Sequence, residues 1–206
     1  MNPVRDSGYA RSPFGASDRI HPKRAAYDFY PTPPEATRAL LSVERFDGSI
    51  WEPACGDGAI SSVLTHAGHF VVSTDLIDRG YGDGGVDFLT EAAPRAKHII
   101  TNPPYGRGLA DKFIGRAISL TRKTGGSVAM LLTLASLCHP MRHDKFVRTP
   151  PGAIYGLDHL VCFPNGVYSE AFARGAKERF CWVVWKHGFE GRPTFWWLSA
   201  SEFRTS

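Results

Sequence analysis

The chain has 206 residues, a formal net charge of +4 from 24 basic and 20 acidic side chains, and 43% hydrophobic residues, a composition typical of one globular domain. Its longest apolar stretch, residues 127–138, is shorter than the roughly 20 residues that cross a bilayer, and residues 1–20 lack the apolar centre of a secretory signal, so we expect a cytoplasmic protein without a membrane span. The four cysteines lie far apart and form no Cys-x-x-Cys pair, which argues against a disulfide framework and predicts no metal site.

The first predicted element is a flexible basic arm, residues 1–27. It is rich in Gly, Ser and Pro and carries +3 of the net charge. Such a segment buries too little apolar surface to become ordered alone, so we expect it to stay mobile until it meets an anionic partner such as nucleic acid. A solvated tail without a partner is the alternative. Residues 28–206 are expected to form the folded domain.

The next elements are a helix and a strand–turn–helix unit. Thr32 is predicted as the N-cap of the helix, with Pro33 at the first helical position and Glu35 completing a capping box. A strand over residues 49–52 then leads through a glycine turn into a helix over residues 59–66.

The rest of the chain alternates between strands and helices. We predict a helix over residues 109–122 and strands over residues 70–74, 86–89, 98–101, 127–134, 159–163 and 179–185. This alternation indicates an α/β fold: a single doubly wound, mostly parallel seven-stranded sheet, Rossmann-like, with helices on both faces. Residues 192–197 are predicted as a closing strand packed on the core, with a stacking platform for bases as the alternative.

Ligands of such sheets bind beyond the carboxyl ends of the strands, and these ends are polar here. In the turn after the first strand, Gly56 and Gly58 let the backbone approach a ligand closely. The turn alone is a weak signal. Ser61 stands where a dinucleotide fingerprint has its third glycine, and no Gly-Lys-Ser/Thr is present, so two common nucleotide sites are disfavoured.

Two further strand ends carry carboxylates that suit an adenosine-bearing ligand. Asp75 lies 19 positions after Gly56, close to the spacing at which an acid accepts hydrogen bonds from ribose hydroxyls. Asp87 offers an acceptor for an adenine amino group, and Phe88 offers an apolar face for the ring. A helix cap, a turn Asp and a core Phe are the corresponding structural alternatives.

The tetrapeptide Asn102-Pro103-Pro104-Tyr105 follows the strand predicted over residues 98–101. The two prolines end the ladder, remove amide donors and fix the direction of the preceding side chain and carbonyls. An amide oxygen, a carbonyl and an aromatic ring together suit a planar substrate that carries an NH2 group.

At these motifs the chain resembles the class I S-adenosylmethionine-dependent methyltransferases, and specifically the small adenine-specific DNA methyltransferases of phages and prophages. Tyr30-Pro31-Thr32-Pro33, the turn from Glu52 to Gly58 and the tetrapeptide carry the resemblance, in the order of the family's gamma arrangement. It implies that residues 28–206 are a catalytic domain with S-adenosylmethionine as cofactor. The implied cofactor-binding residues are Tyr30, Thr32, Glu52, Pro53, Ala54, Gly56, Gly58, Asp75, Leu76, Asp87, Phe88 and Asn102. The implied catalytic residues are Asn102, Pro103, Pro104 and Tyr105.

The resemblance implies methyl transfer to N6 of adenine in DNA. The Asn102 side-chain oxygen and the Pro103 carbonyl would accept the amino hydrogens, and Tyr105 would stack on the base. The base must leave the duplex, so phosphate contacts are needed, and the basic run of Arg142, His143, Lys145 and Arg148 is the candidate beside the arm. Only about twenty residues follow residues 179–185, so we expect target recognition to be slight, loop-borne, or supplied by a partner or second subunit.

Other readings remain open. The tetrapeptide is shared by enzymes that methylate adenine or guanine in RNA, or glutamine in proteins. A non-catalytic nucleic-acid-binding domain with a vestigial cofactor site is the alternative from a different class, although the intact set of motif residues argues against decay.

Overall fold

Seven strands form one sheet in the computed structural model, which describes residues 25–176 and 178–204. In chain order they are β1 Ile50–Glu52, β2 Val71–Ser73, β3 His98–Thr101, β4 Val128–Thr133, β5 Ala153–Leu157, β6 Phe180–Trp185 and β7 Thr194–Leu198. Their spatial order is β2-β1-β3-β4-β6-β5-β7. β6 is antiparallel to β4 and β5, and the other neighbouring pairs are parallel. This confirms the predicted mostly parallel seven-stranded α/β sheet.

Helices cover both faces of the sheet. They are α1 Pro34–Val43, α2 Ala59–His66, α3 Leu109–Thr121, α4 His143–Arg148 and α5 Glu170–Gly175. Leu40 of α1 and Leu64 of α2 pack on one face, whereas Phe113 of α3 packs on the other. None of the helices in the described ranges is both long enough and apolar enough to cross a membrane.

The central strands β4 and β6 are continuous apolar runs because both of their faces are covered. Successive side chains alternate between the two cores: Leu131 packs with α1 and α2, and Leu132 packs on the side of α3. Every residue of β6 is buried. These strands therefore form the rigid centre against which the ligand-facing ends of β1, β2 and β3 are held.

The predicted strand over residues 86–89 is wrong, because this segment is a turn. The Asp87 carboxylate accepts a hydrogen bond from the Leu89 backbone N–H at 2.9 Å, and Thr90 N–H donates to the Asp87 carbonyl at 3.0 Å. An Asp that bonds the backbone two residues on favours a turn over a ladder.

The predicted strand over residues 159–163 is also wrong, and the strand lies earlier in the chain, as β5. His159 has a φ of 46°, which interrupts extended backbone at that point. β7 pairs with β5, which confirms a strand near residues 192–197. With this strand the sheet has the predicted number of seven strands. The expectation that this strand packs on the core is wrong, because only Leu198 of β7 is buried and Phe195, Trp196 and Trp197 are exposed.

Helix α1 begins at Pro34, and the predicted capping box is wrong. Pro33 occupies the N-cap position, and no side chain of the residues that the structure describes caps this helix. The Thr32 hydroxyl instead accepts a hydrogen bond from Asn102 at 3.1 Å, and the Glu35 carboxylate lies 3.3 Å from Arg204 Nε. The Thr32 hydroxyl therefore bonds a residue 70 positions away along the chain and does not cap the helix.

Candidate active site

A cavity of about 670 Å³ lies at the carboxyl ends of β1, β2 and β3. β1 has β2 on one side and β3 on the other, so the direction of the chain connections reverses beside it. In open α/β sheets ligands bind at this point. The cavity volume is within the range of small-molecule sites. Glu52, Asp75 and Asn102, each at the end of a different strand, all line the cavity.

Glu52 ends β1 with its carboxyl group buried. Its Oε2 accepts a short hydrogen bond from the Ser61 hydroxyl, and Ser61 Oγ lies 2.7 Å from Ser73 Oγ in β2. Burial raises the pKa of Glu52 well above its ordinary value, and the nearby Asp75 carboxylate raises it further. Ser61, at the position where a dinucleotide site has glycine, therefore holds the Glu52 carboxyl group that lines the cavity.

The turn after β1 needs both of its glycines. Gly56 and Gly58 have φ values of 57° and 86°, in the left-handed region. A Cβ at Gly56 would lie 2.7 Å from the Phe29 ring, and a Cβ at Gly58 would lie 2.5 Å from the Tyr81 ring. Pro53 and Ala54 of the same turn line the cavity.

The Asp75 carboxylate connects the ends of β1 and β2. Its Oδ2 accepts from the Gly56 N–H and its Oδ1 from the Ile77 N–H, both at 2.8 Å. Asp75 and the exposed Leu76 line the cavity wall. The carboxylate is thus fixed by backbone donors while it faces the ligand space.

Asp87 and Phe88 line a neighbouring part of the wall, although they lie in a turn. Asp87 is exposed, whereas Phe88 is 1% exposed and packs against Trp51 and Phe113 with ring centroids 5.1 and 4.8 Å apart. Both residues therefore serve the fold as well as the cavity.

The tetrapeptide leaves β3 with its first side chain held at both ends. Asn102 Nδ2 donates to the Tyr30 carbonyl and to the Thr32 hydroxyl, each at 3.1 Å. The Tyr105 hydroxyl lies 2.6 Å from Asn102 Oδ1. Pro104 lines the cavity together with Asn102, and Pro103 is buried.

The Tyr105 ring points into the protein, where it packs against both cores. Its hydroxyl also lies 2.9 Å from the Leu131 carbonyl in β4. Burial raises the pKa of Tyr105 well above its ordinary value, so the phenol keeps its proton and remains a donor. Stacking of this ring on a base would require the side chain to rotate out.

A segment of residues 25–31 lines the cavity, and we call it the strap; sequence reasoning found only its end, Tyr30 and Pro31, and missed the rest. Asp28 Oδ2 accepts from the Gly106 N–H at 2.6 Å, and the Phe29 carbonyl accepts from the Asn165 N–H at 2.9 Å. The Arg79 guanidinium lies over the Phe29 ring, 4.0 Å from its centroid. No motif signals these contacts, because each joins residues that are distant in sequence. Of the predicted arm, residues 1–24 lie outside the described residues.

Acidic side chains dominate the charged lining of the cavity. They are Asp28, Asp57, Asp75 and Asp87, beside the buried Glu52 carboxyl, whose raised pKa favours its uncharged form, and Arg79 is the one basic side chain among the described residues that line the cavity. A concave site of one charge sign attracts ligands of the other. The cavity therefore favours a ligand that carries positive charge.

The described residues contain no cluster of three or more His, Cys, Asp or Glu side chains that could hold a metal ion. Cys55 lines the cavity, and burial raises its pKa to about 12, so it stays a protonated thiol.

The predicted basic run divides into buried and exposed parts. Arg142 is 4% exposed; its Nε lies 3.1 Å from Asp111 Oδ1, and its Nη1 donates to the Ser136 hydroxyl at 2.6 Å. His143, Lys145 and Arg148 of α4 are exposed. The run thus presents three basic side chains to solvent, whereas Arg142 ties α3 to the segment after β4.

No family model and no curated protein sequence matches the chain. Solved structures do resemble its fold. A proposed class I S-adenosylmethionine-dependent methyltransferase from Listeria monocytogenes has a TM-score of 0.55 and 16% identity, covering 80% of this chain and 64% of its own. A modification subunit of a proposed type I restriction enzyme from Vibrio vulnificus has a TM-score of 0.54 and 15% identity, covering 83% and 47%.

A proposed RNA methyltransferase from Pyrococcus horikoshii has a TM-score of 0.51 and 14% identity, covering 79% of this chain and 89% of its own. The chain spans less than two thirds of the first two neighbours. At these identities the likeness concerns the fold. The sheet order, the position of the cavity and these neighbours together show that the chain has the Rossmann-like fold of the class I S-adenosylmethionine-dependent methyltransferases.

Proposed function

We propose that this protein is an S-adenosylmethionine-dependent methyltransferase that methylates N6 of adenine in DNA. The observation that carries the proposal is the Asn102 carboxamide, which lines an acidic cavity at the switch point of the sheet and is followed by two prolines. This arrangement supplies acceptors for a planar amino group beside a site that suits a cationic adenosine derivative.

The residues present fit S-adenosylmethionine. The cavity is large enough, its acidic lining suits a sulfonium and an ammonium group, and Asp75, which lines it, would accept from the ribose hydroxyls. Asp87 and the edge of Phe88 would hold the adenine, and Pro53, Ala54 and Leu76 would pack around the ligand. When bound, the cofactor supplies a methyl group that its positive sulfur makes electrophilic.

The chain's own groups prepare the substrate nitrogen. Asn102 Oδ1 has two lone pairs, of which the Tyr105 hydroxyl uses one, so it can accept an amino hydrogen with the other. The Pro103 carbonyl would accept the second hydrogen. These two bonds draw the nitrogen lone pair out of conjugation with the ring, and the remaining contribution is alignment and exclusion of water. No strong base is required, because the amino proton becomes acidic only after transfer.

Exposed basic and aromatic side chains support nucleic acid as the substrate. The exposed His143, Lys145 and Arg148 can contact phosphates, and Tyr168 is 71% exposed on a loop that the strap contacts through Asn165. The neighbour that is a modification subunit supports DNA as substrate and a partner or second subunit for target recognition. A small enzyme of the phage type fits this proposal.

Methyl-labelled cofactor, incubated separately with DNA, RNA and protein, tests the substrate. We expect label in DNA, recovered as N6-methyladenine after digestion to nucleosides. Label in RNA would move the proposal to an RNA methyltransferase like the Pyrococcus neighbour, and label in glutamine to a protein methyltransferase. No label in any pool would support the non-catalytic alternative.

Asn102→Ala is the matching variant. We expect it to abolish transfer while cofactor affinity, measured by calorimetry, stays within a few fold, because the side chain acts on the amino group. Unchanged turnover would contradict the role of Asn102.

A further inference from the structure

The Asn102 carboxamide has one possible orientation in this structure. The Tyr30 carbonyl can only accept a hydrogen bond, so the amide nitrogen, and not the oxygen, must face it. The Thr32 hydroxyl accepts from the same nitrogen at 3.1 Å. Both Asn102 donors are therefore used by the segment that leads into α1.

The oxygen end is held by a group anchored in the sheet. The Tyr105 hydroxyl carries one proton and has two acceptors, Asn102 Oδ1 at 2.6 Å and the Leu131 carbonyl at 2.9 Å. Since β4 lies beside β3, the phenol bridges the end of the catalytic strand to its neighbour. Since Oδ1 has a second lone pair for a substrate hydrogen, the phenol can keep its bond to Asn102 when the substrate is bound.

We propose that Thr32 and Tyr105 are positioning residues whose hydroxyl groups, at opposite ends of the Asn102 carboxamide, hold it in the orientation that methyl transfer requires. This inference rests on the proposed function, and it gives each residue a role different from the one that the sequence resemblance implies. Thr32 acts on Asn102 and not on the cofactor, and Tyr105 acts through its hydroxyl and not by stacking on the base.

The kinetic test separates these roles. Thr32→Val keeps the shape of the side chain but removes the acceptor, and we expect kcat at saturating cofactor to fall about tenfold while the cofactor Kd changes less than twofold. Thr32→Ser, which keeps the hydroxyl, should recover most of the loss. A raised Kd with normal kcat would overturn the proposal in favour of a cofactor contact.

Tyr105→Phe keeps the ring but removes the hydroxyl. We expect kcat to fall by a similar factor, whereas an effect of stacking alone would leave this variant as active as the wild type and would overturn the role of the hydroxyl. Two variants serve as controls for loss of a buried hydroxyl: Thr37→Val in α1, where the Thr37 hydroxyl has no partner among the described residues, and Tyr155→Phe, whose hydroxyl bonds Glu44.

A second measurement does not depend on activity. The chain has three asparagines, Asn2, Asn102 and Asn165, so 15N-asparagine labelling yields three side-chain amide pairs, and Asn102→Ala identifies one of them. We expect the Asn102 pair to exchange slowly with water in the wild type and at least tenfold faster in Thr32→Val and Tyr105→Phe. An unchanged exchange rate in both folded variants would overturn the proposal. Protected amides in a protein that transfers no methyl group would contradict the proposed function and leave the positioning network standing.

Discussion

At the scale of single residues, Asp75 performs two tasks. Its carboxylate accepts from the backbone N–H groups of Gly56 and Ile77, which holds the glycine turn against the end of β2, and it also faces the cavity. A hydrogen-bonded carboxylate of this kind is pre-organised, because its orientation does not depend on the ligand.

We therefore expect Asp75→Ala to weaken S-adenosylmethionine binding by roughly 10- to 100-fold, since hydrogen bonds to a charged group are worth about 1.5–3 kcal/mol. Isothermal calorimetry measures the effect. Asp78→Ala is the matched control, because Asp78 bonds the exposed backbone at Gly80 and lies outside the cavity lining among the described residues. Equal affinities for Asp75→Ala and the wild type would contradict the ribose contact.

For Thr32 the sequence predicts the start of the helix but not the partner of the hydroxyl group. Thr, Pro, Pro and Glu in succession satisfy the local rules for a helix start, and the helix does begin within two residues of the predicted cap. The hydroxyl, however, is used by Asn102, and a tertiary contact of this kind leaves no trace in local sequence.

At the scale of elements, the basic run in and before α4 contains one residue that stabilises the fold, whereas its other basic residues face solvent. Arg142 precedes α4 and is bonded to Asp111 in the first turn of α3 and to Ser136, so its guanidinium links α3 to the segment after β4. The exposed Arg148 is at the other end of the same helix.

We expect Arg142→Ala to lower the free energy of unfolding by about 1–3 kcal/mol, because it leaves the Asp111 carboxylate and the Ser136 hydroxyl without this donor. Arg148→Ala should change the free energy of unfolding by less than about 0.5 kcal/mol and reduce nucleic-acid affinity in a salt-dependent way. Urea denaturation and binding titrations at two salt concentrations measure both. The reverse pattern would make Arg142 a phosphate contact.

The errors in predicting elements have a common cause. Residues 159–163 contain Leu, Val, Cys and Phe, and this apolar run predicts a strand, yet the strand is β5, a few residues earlier. Short apolar runs do not reveal their backbone conformation, and His159 at positive φ cannot be recognised from composition. By contrast, α2 and β3 have the predicted bounds, because a glycine turn and two prolines mark their ends.

At the scale of the whole molecule, a buried histidine connects the amino-terminal ends of the central strands. His98 begins β3; its Nε2 lies 3.0 Å from the Asp47 carbonyl, and its Nδ1 accepts from the Ser127 N–H at 3.0 Å. Burial lowers the pKa of His98 below the ordinary value of 6.5, against the opposing effect of Asp47.

This lowered pKa predicts that the folded state is less stable in acid. Between the folded and the unfolded pKa the unfolded chain binds more protons, so the contribution of His98 is complete above about pH 6.5 and is lost as the pH falls towards the folded pKa. Urea unfolding at pH 5.5 and 7.5 should show the loss in the wild type. His98→Gln should reduce the difference in the free energy of unfolding between these two pH values, and replacement of the exposed His187 by Gln should leave that difference unchanged. A difference that survives in His98→Gln would locate the acid sensitivity elsewhere.

The fold as a whole was more predictable than the site. The sheet class follows from the alternation of strands and helices, and the glycine turn, Asp75 and the tetrapeptide mark the ends of the strands that line the cavity. The hydrogen bonds of the strap and of the network around Asn102 could not be predicted, because they join Asp28 to Gly106, Tyr30 to Asn102 and Tyr105 to Leu131, which are far apart in the sequence.

The tryptophans divide into two optical populations. Trp51, Trp182 and Trp185 are each 4% exposed or less, whereas Trp196 and Trp197 on β7 are 64% and 73% exposed. A water-soluble quencher such as iodide can therefore suppress the emission of the outer pair and leave the shorter-wavelength fluorescence of the interior. Trp51 touches Phe88 in the cavity wall, so this residual emission can report occupancy of the cavity without any added label.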